Sequence, residues 1–249
     1  MLYFSYPFAG LSIIMQQVSA NTMYLAESTR RVTQTPSALT RGDGSNTSIL
    51  MRMCSRSAIR GHRRRETAVS IKTRATIEDL YKVEGKAELV NGEIVHMSPT
   101  GRRPGRVGLR IAASLLHHEE RAGGGIAFPD NVGFIVNLPH RESFSPDAAW
   151  YTGPDTGMSF CQGAPVFAVE VRSQYDYGPA AEREMQDKRT DYFACGTLVV
   201  WDVDLLHEDV IKSYKASDPT QPVIFRRGDN ADAEPAVSGW QMAVNDLFE

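Results

Sequence analysis

Val166-Phe167-Ala168-Val169-Glu170-Val171-Arg172 is apolar almost throughout, with one carboxylate set inside it. A run of this kind suits a short strand covered on both faces. Side chains alternate along a strand, so Ala168, Glu170 and Arg172 share one face and Phe167, Val169 and Val171 the other. Two further runs have the same texture. Asp147-Ala148-Ala149-Trp150-Tyr151 precedes it, and Thr197-Leu198-Val199-Val200-Trp201-Asp202 follows it. Between Glu170 and Thr197 a polar, charge-rich stretch, Pro179–Cys195, reads as a helix that crosses back over the sheet.

Working outward, Thr76 with Glu78 and Asp79 behind it is a helix N-cap, and that helix ends near Gly85. Ala87–Val95 then folds back on itself around Asn91-Gly92, the strongest short hairpin signal a sequence carries. Pro104–Arg121 has helical spacing, with Val107, Ile111, Leu115 and Leu116 on one face, and Gly123-Gly124-Gly125 stops it. Ile126–Leu138 reads as a strand, Asp209–Tyr214 and Val223–Arg226 as a strand pair, and Trp240–Phe248 as a short terminal helix. The order predicts an α/β fold of the α+β kind, a central mixed sheet flanked by helices, and not a regular βαβ alternation.

Composition divides the chain. Overall it is 249 residues, 42% hydrophobic and 23% charged, with a net charge of −3. Residues 1–74 hold 11 Lys+Arg against 3 Asp+Glu, whereas residues 75–249 hold 16 against 27. Residues 1–72 are rich in Ser, Thr, Asn and Arg and lack sustained periodicity. They are expected to be a disordered leader, a targeting extension, or a stretch ahead of a true start at Met51 or Met53. Residues 73–249 are expected to form the folded domain. Three scattered cysteines, Cys54, Cys161 and Cys195, argue against a disulfide framework or a zinc site and for a reduced cytoplasmic protein. His117 and His118 are adjacent, and neighbours on a helix point about 100° apart, so they do not form a shared metal face.

The chemistry is carried by acids placed where apolar residues belong. Asp147 opens one apolar strand and Glu170 interrupts another. Carboxylates in such places are costly unless paired or bound to a cation, and a divalent metal removes the mutual repulsion of two of them. Oxygen donors of this type suit Mg²⁺ or Mn²⁺. Read singly, each residue has a plainer meaning: Asp147 a turn or cap residue after Pro146, Glu170 and Glu88 exposed strand positions, Lys188 a solvated helix residue.

Taken in order, Glu88-Leu89-Val90-Asn91-Gly92-Glu93, Ser145-Pro146-Asp147, Val169-Glu170-Val171-Arg172-Ser173, Lys188 with Tyr192 and Gly196, and Val200-Trp201-Asp202 form a series. It resembles the Uma-type family of "putative restriction endonucleases", a branch of the PD-(D/E)XK nuclease superfamily, over about residues 75–249. The resemblance implies a restriction-endonuclease-like core and Mg²⁺- or Mn²⁺-dependent cleavage of DNA. It implies that Asp147 and Glu170 are metal ligands, that the Val171 backbone carbonyl completes that side, and that Glu88 belongs to the catalytic set. Lys188 then matches the helix-borne lysine that replaces the superfamily's usual one. The position two after Glu170 holds Arg172 instead of lysine. Arginine stays protonated, so it is assigned to grip phosphate, and Lys188 is preferred as the water-activating cation.

The alternative is a catalytically silent nucleic-acid-binding or regulatory protein on the same fold, because an acidic domain is a poor phosphate binder overall. A basic groove from Arg102, Arg103, Arg106 and Arg110 would answer that objection. The expected partner is DNA, without a membrane, and a homodimer is compatible with the sequence.

Overall fold

The computed structural model describes residues 73–208 and 210–248. The expectations for residues 1–72 lie outside the described residues.

Thr76 caps α1 (Ile77–Leu80), as the sequence predicts, and its own amide donates back to the Asp79 carboxylate to close a capping box; the helix stops short of the expected end near Gly85. The hairpin follows as β1 (Ala87–Val90) and β2 (Glu93–His96), with Val90 paired directly to Glu93. Asn91 and Gly92 both have positive φ, 54° and 69°, which a two-residue hairpin turn of this kind requires. Helix α2 spans Arg102–Ala122. Its buried face holds Val107, Ile111 and Leu115, but Leu116 is exposed; Gly108 and Ala112 complete the face instead. At Gly108 an added Cβ would lie 3.2 Å from the Asp147 carbonyl oxygen, so the missing side chain lets α2 lie against the start of a sheet strand.

The expected strand Ile126–Leu138 is two strands, β3 (Ile126–Pro129) and β4 (Phe134–Leu138). Asp130 and Asn131 turn the chain between them, with Asn131 at φ 67°. A strand not anticipated from sequence, β5 (Arg141–Phe144), pairs with both β4 and β1. Then come β6 (Ala148–Tyr151), the short β7 (Cys161–Gln162), β8 (Phe167–Val171), α3 (Pro179–Ala194) and β9 (Val199–Val203). β10 (Ile211–Lys215) and β11 (Asp218–Phe225) form the expected pair. The tail is not one helix: β12 (Asn230–Asp232) pairs with β13 (Gln241–Ala243), and a 3₁₀ turn covers Val244–Phe248.

A six-stranded sheet runs β11-β10-β9-β8-β6-β3, with β8 and β9 parallel and the other pairs antiparallel. A five-stranded sheet runs β2-β1-β5-β4-β7. The fold is therefore mixed α+β, as expected. The six-stranded sheet is covered on both faces. On one, Trp150, Phe167, Val169 and Trp201 pack with α2 residues Val107, Ile111 and Leu115 and with the C-terminal Trp240. On the other, Ala149, Tyr151, Ala168 and Val200 pack with Phe134, Phe144 and Tyr192 of α3. Double coverage explains why β6, β8 and β9 read as apolar runs, interrupted only by Glu170 in β8 and Asp202 in β9. No helix among the described residues is long and apolar enough to cross a membrane.

Candidate active site

Glu170 lies on the β8 face it shares with Ala168, under α3 and the second sheet. β6 and β8 are antiparallel with Ala148 opposite Val169, which sets Asp147 beside Glu170 on the same face. The Asp147 amide donates to the Val169 carbonyl at 2.9 Å, and its Oδ2 accepts the Val171 amide at 2.7 Å. Val171, whose carbonyl the resemblance assigns to the metal site, meets Asp147 through its N–H.

Glu88 enters from β1 in the other sheet and is buried. Its Oε1 accepts the Ser145 amide at 2.9 Å, and its Oε2 accepts Arg141 Nη1 at 2.6 Å. Lys188 enters from α3. Its Nζ is 2.9 Å from Glu88 Oε1 and 2.8 Å from Glu170 Oε1. Four chain segments far apart in sequence therefore bring Glu88, Asp147, Glu170 and Lys188 to one place.

Several residues to which the sequence reading gave no role in the site hold this set. Tyr192, one turn after Lys188, donates its hydroxyl to Glu170 Oε1 at 2.7 Å and is fully buried. Its ring stacks on Phe144 at 4.0 Å between centroids, and Arg141 lies over Phe144 in turn. Arg141 also donates Nε to Asp191 Oδ2 at 2.8 Å, and Asp191 Oδ1 meets His140 Nε2 at 2.7 Å. Lys86, at the start of the hairpin, reaches Asp147 Oδ1 at 2.6 Å and Asp130 Oδ1 at 2.6 Å. Of these, only Tyr192 had a usable sequence signal: it is four residues after Lys188 and so on the same helix face.

Burial and neighbouring charge act on each group in opposite senses. Burial pushes Glu88 up, but the Lys188 and Arg141 cations outweigh it and hold the carboxyl below its ordinary value. Burial pushes Glu170 up and the Asp147 and Glu88 carboxylates add to it; Lys188 opposes them without cancelling them, so Glu170 is raised. Burial would lower Lys188, yet the Glu170 and Glu88 carboxylates dominate and raise it. Lys188 is consequently a fixed ammonium, which can orient and stabilise but does not take a proton as a base. Burial and the same two anions raise the Tyr192 phenol well above its usual range, so it remains a donor.

Arg172 is not brought to this cluster. Its side chain keeps to the sheet face of Glu170, as alternation predicts, but turns away toward β9, where Asp202 stands opposite Glu170. Its Nε and Nη2 donate to the two oxygens of Asp202 at 2.6 and 2.7 Å. Nη1 and Nη2 bond Glu182, and Nη1 also reaches the Asp176 carbonyl at 3.3 Å. A guanidinium committed on all sides has no donor to spare for phosphate, and Arg172 does not line the cleft described next.

The cluster opens into a cleft of about 1240 Å³. Residues 96–101, the first turn of α2, residues 173–176 and the inward face of α3 form its walls. Arg102, Arg103 and Arg106 are exposed on the opening turns of α2, whereas Arg110 reaches away to the Asp246 carbonyl at 2.8 Å. His118 is buried against Trp150 while His117 is exposed, so the two histidines diverge as their spacing predicts.

Among the described residues no three His, Cys, Asp or Glu side chains already converge as a cage; lysine ammonium groups stand between the carboxylates. The donor set nonetheless suits a hard divalent cation. Asp147 and Glu170 are ionisable oxygen donors side by side, and Glu170 Oε2 accepts no bond among the described residues yet is not sealed from the cleft.

Comparison with known proteins agrees with this architecture. The structure matches a crystal structure described as a putative nuclease belonging to DUF820 from Anabaena variabilis. The TM-score is 0.54 at 16% identity, over 70% of this chain and 97% of that one. At that identity the likeness speaks for the restriction-endonuclease-like fold alone. No curated protein matches this sequence. Residues 75–245, most of the chain, match the family model described as "Putative restriction endonuclease". The chain therefore belongs to the Uma2 family of "putative restriction endonucleases".

Proposed function

We propose that the domain is a metal-dependent endonuclease that hydrolyses phosphodiester bonds in DNA. One observation carries this reading: Glu88, Asp147, Glu170 and Lys188 come from four separate segments to the floor of one open cleft. Glu88 and Glu170 are buried with Asp147 half-buried beside them, and an ion cluster left open to a cleft is a poor device for stability, since buried charge costs several kcal/mol per ion before pairing returns any of it.

Asp147 and Glu170 would hold a Mg²⁺ or Mn²⁺ ion, with the Val171 backbone at the same edge. Such an ion polarises a phosphoryl oxygen and lowers the pKa of bound water. Lys188 keeps its proton and directs it at the cleft, where it stabilises charge developing on the phosphate and orients the attacking water. Tyr192 and Lys188 together fix Glu170, and Arg141 with the Ser145 amide fixes Glu88. Arg102, Arg103 and Arg106, exposed on the opening turns of α2, would supply phosphate contacts in place of Arg172 and Arg110.

A second reading, a silent nucleic-acid binder, is favoured by the acidic walls of the cleft, where Glu184 and Asp187 face any incoming phosphate. The two readings part in one experiment. The full chain is incubated with supercoiled plasmid and with single-stranded DNA, in Mg²⁺, in Mn²⁺ and in chelator, beside Asp147→Ala. The endonuclease reading expects cleavage that needs the metal and vanishes in the variant. Binding without cleavage under every condition favours the silent reading.

A further inference from the structure

Asp147 has two carboxylate oxygens, and they are used differently. Oδ2 accepts the Val171 amide and is fixed by the backbone. Oδ1 faces Lys86 Nζ at 2.6 Å. A cation drawn to the less committed side of Asp147 therefore meets the oxygen at which an ammonium already stands. Lys86 is itself well covered, its side chain 13% exposed. It is anchored by the hairpin, where its carbonyl accepts the Met97 amide at 2.9 Å. It also has a second partner: Asp130 Oδ1 lies 2.6 Å from the same Nζ. Asp130 sits in the turn between β3 and β4, is more exposed than Asp147, and does not line the cleft.

We propose that Lys86 is a positioning residue that sets the affinity of the site for a divalent cation, competing for Asp147 and withdrawing toward Asp130 when the cation arrives. The proposal rests on the reading of Asp147 and Glu170 as metal-holding residues. The physics is charge exchange at one oxygen. A +1 ammonium on Oδ1 repels an incoming +2 ion and takes the lone pairs it needs. Asp130 lowers the cost of displacement, because the ammonium keeps an anionic partner after it leaves Asp147. Without such a partner a partly buried ammonium would be stranded. Lysine suits the task better than arginine: its charge is compact and its stem flexible, so a small swing changes partners.

The test is calorimetric binding of Mn²⁺ alone to the full chain, with folding of each variant checked by circular dichroism. Lys86→Met is expected to bind Mn²⁺ about tenfold more tightly, a modest fraction of the repulsion between a mono- and a dication at this range. Lys86→Gln serves as a second neutral variant and is expected to behave alike. Asp130→Asn is expected to bind several-fold more weakly, and to have little further effect once Lys86 is Met, since it acts through that lysine. Lys86→Arg, which keeps the charge but grips a carboxylate with a planar fork, should bind no more tightly than wild type. Weaker or unchanged binding in both neutral variants overturns the proposal, and so does an Asp130→Asn effect that persists undiminished in the double variant. Binding by Lys86→Met where wild type binds none supports it. If neither binds Mn²⁺, and Asp147→Ala looks the same, the metal reading itself falls and the proposal with it.

Discussion

Two clusters of carboxylates and cations flank β8, and they use the same chemistry to opposite ends. In one, Asp202 is fully buried at the end of β9 and receives Arg172 on both oxygens; Arg189 adds a contact at 3.3 Å, and Glu182 covers the far side of Arg172. In the other, Glu88, Asp147 and Glu170 are balanced by Lys188, Lys86 and Arg141, and the group opens to the cleft. The first cluster uses arginines, whose planar forks fill both oxygens of a carboxylate at once. The second has one arginine, Arg141, on Glu88 alone, and meets Asp147 and Glu170 with lysines, whose single ammonium leaves lone pairs over. Closure and saturation mark a structural ion pair; exposure with spare acceptors marks a site able to take a ligand.

The largest expected effect breaks the closed cluster. Asp202→Ala leaves two buried guanidinium groups short of their carboxylate, which typically costs about 3–5 kcal/mol. A melting temperature lower by roughly 10 °C is expected from thermal unfolding, given about 2–4 °C per kcal/mol for a domain of this size. A shift below about 2 °C would show that the network is not structural.

Next in size is a change in the open cluster that stability should barely register. Glu170→Gln removes a carboxylate that its acidic neighbours already disfavour. Metal-dependent cleavage is expected to fall by about a hundredfold or more, the usual scale for losing a charge-stabilising group, while melting stays near wild type. Unchanged cleavage would remove Glu170 from the chemistry.

The smallest effect sharpens the boundary between the two roles. Tyr192→Phe deletes one hydrogen bond to Glu170 and leaves the ring stacked on Phe144. A bond to a charged acceptor is worth about 1.5–3 kcal/mol, but Lys188 remains to hold the carboxylate. A loss of about tenfold in cleavage rate is therefore expected, at unchanged DNA affinity, and steady-state kinetics would separate the two.

The sequence shows the acids more readily than what holds them. Glu170 and Asp147 stand out as misfits in apolar strands, and the Asn91-Gly92 turn marks its hairpin unaided. Lys86 and Arg141 carry no such mark: their partners lie 61 and 53 residues away, and local pattern says nothing about pairing at that distance. β5 was illegible for the same reason. Its Arg141 and Ser143 point inward because Glu88 and the Leu89 amide need partners, which inverts the usual rule that polar residues face out. Arg172 misleads because alternation gives its face and not its partner: Asp202, 30 residues on and opposite Glu170 on β9, takes the guanidinium first. Leu116 misleads because α2 buries a narrower stripe than its apolar residues suggest, with Gly108 brought up against Asp147.

The central claim is that the open cluster performs the chemistry and the closed one only supports it. Its most direct test is the single-turnover cleavage rate at saturating DNA with Mg²⁺ in excess, for Lys188→Ala beside Glu182→Gln. Lys188 belongs to the open cluster, and Glu182 is the half-exposed outer partner of Arg172 in the closed one. The account predicts about a hundredfold slower cleavage for Lys188→Ala at near-normal affinity, and a rate close to wild type for Glu182→Gln. Wild-type cleavage by Lys188→Ala, together with a dead Glu182→Gln that remains folded, would contradict it.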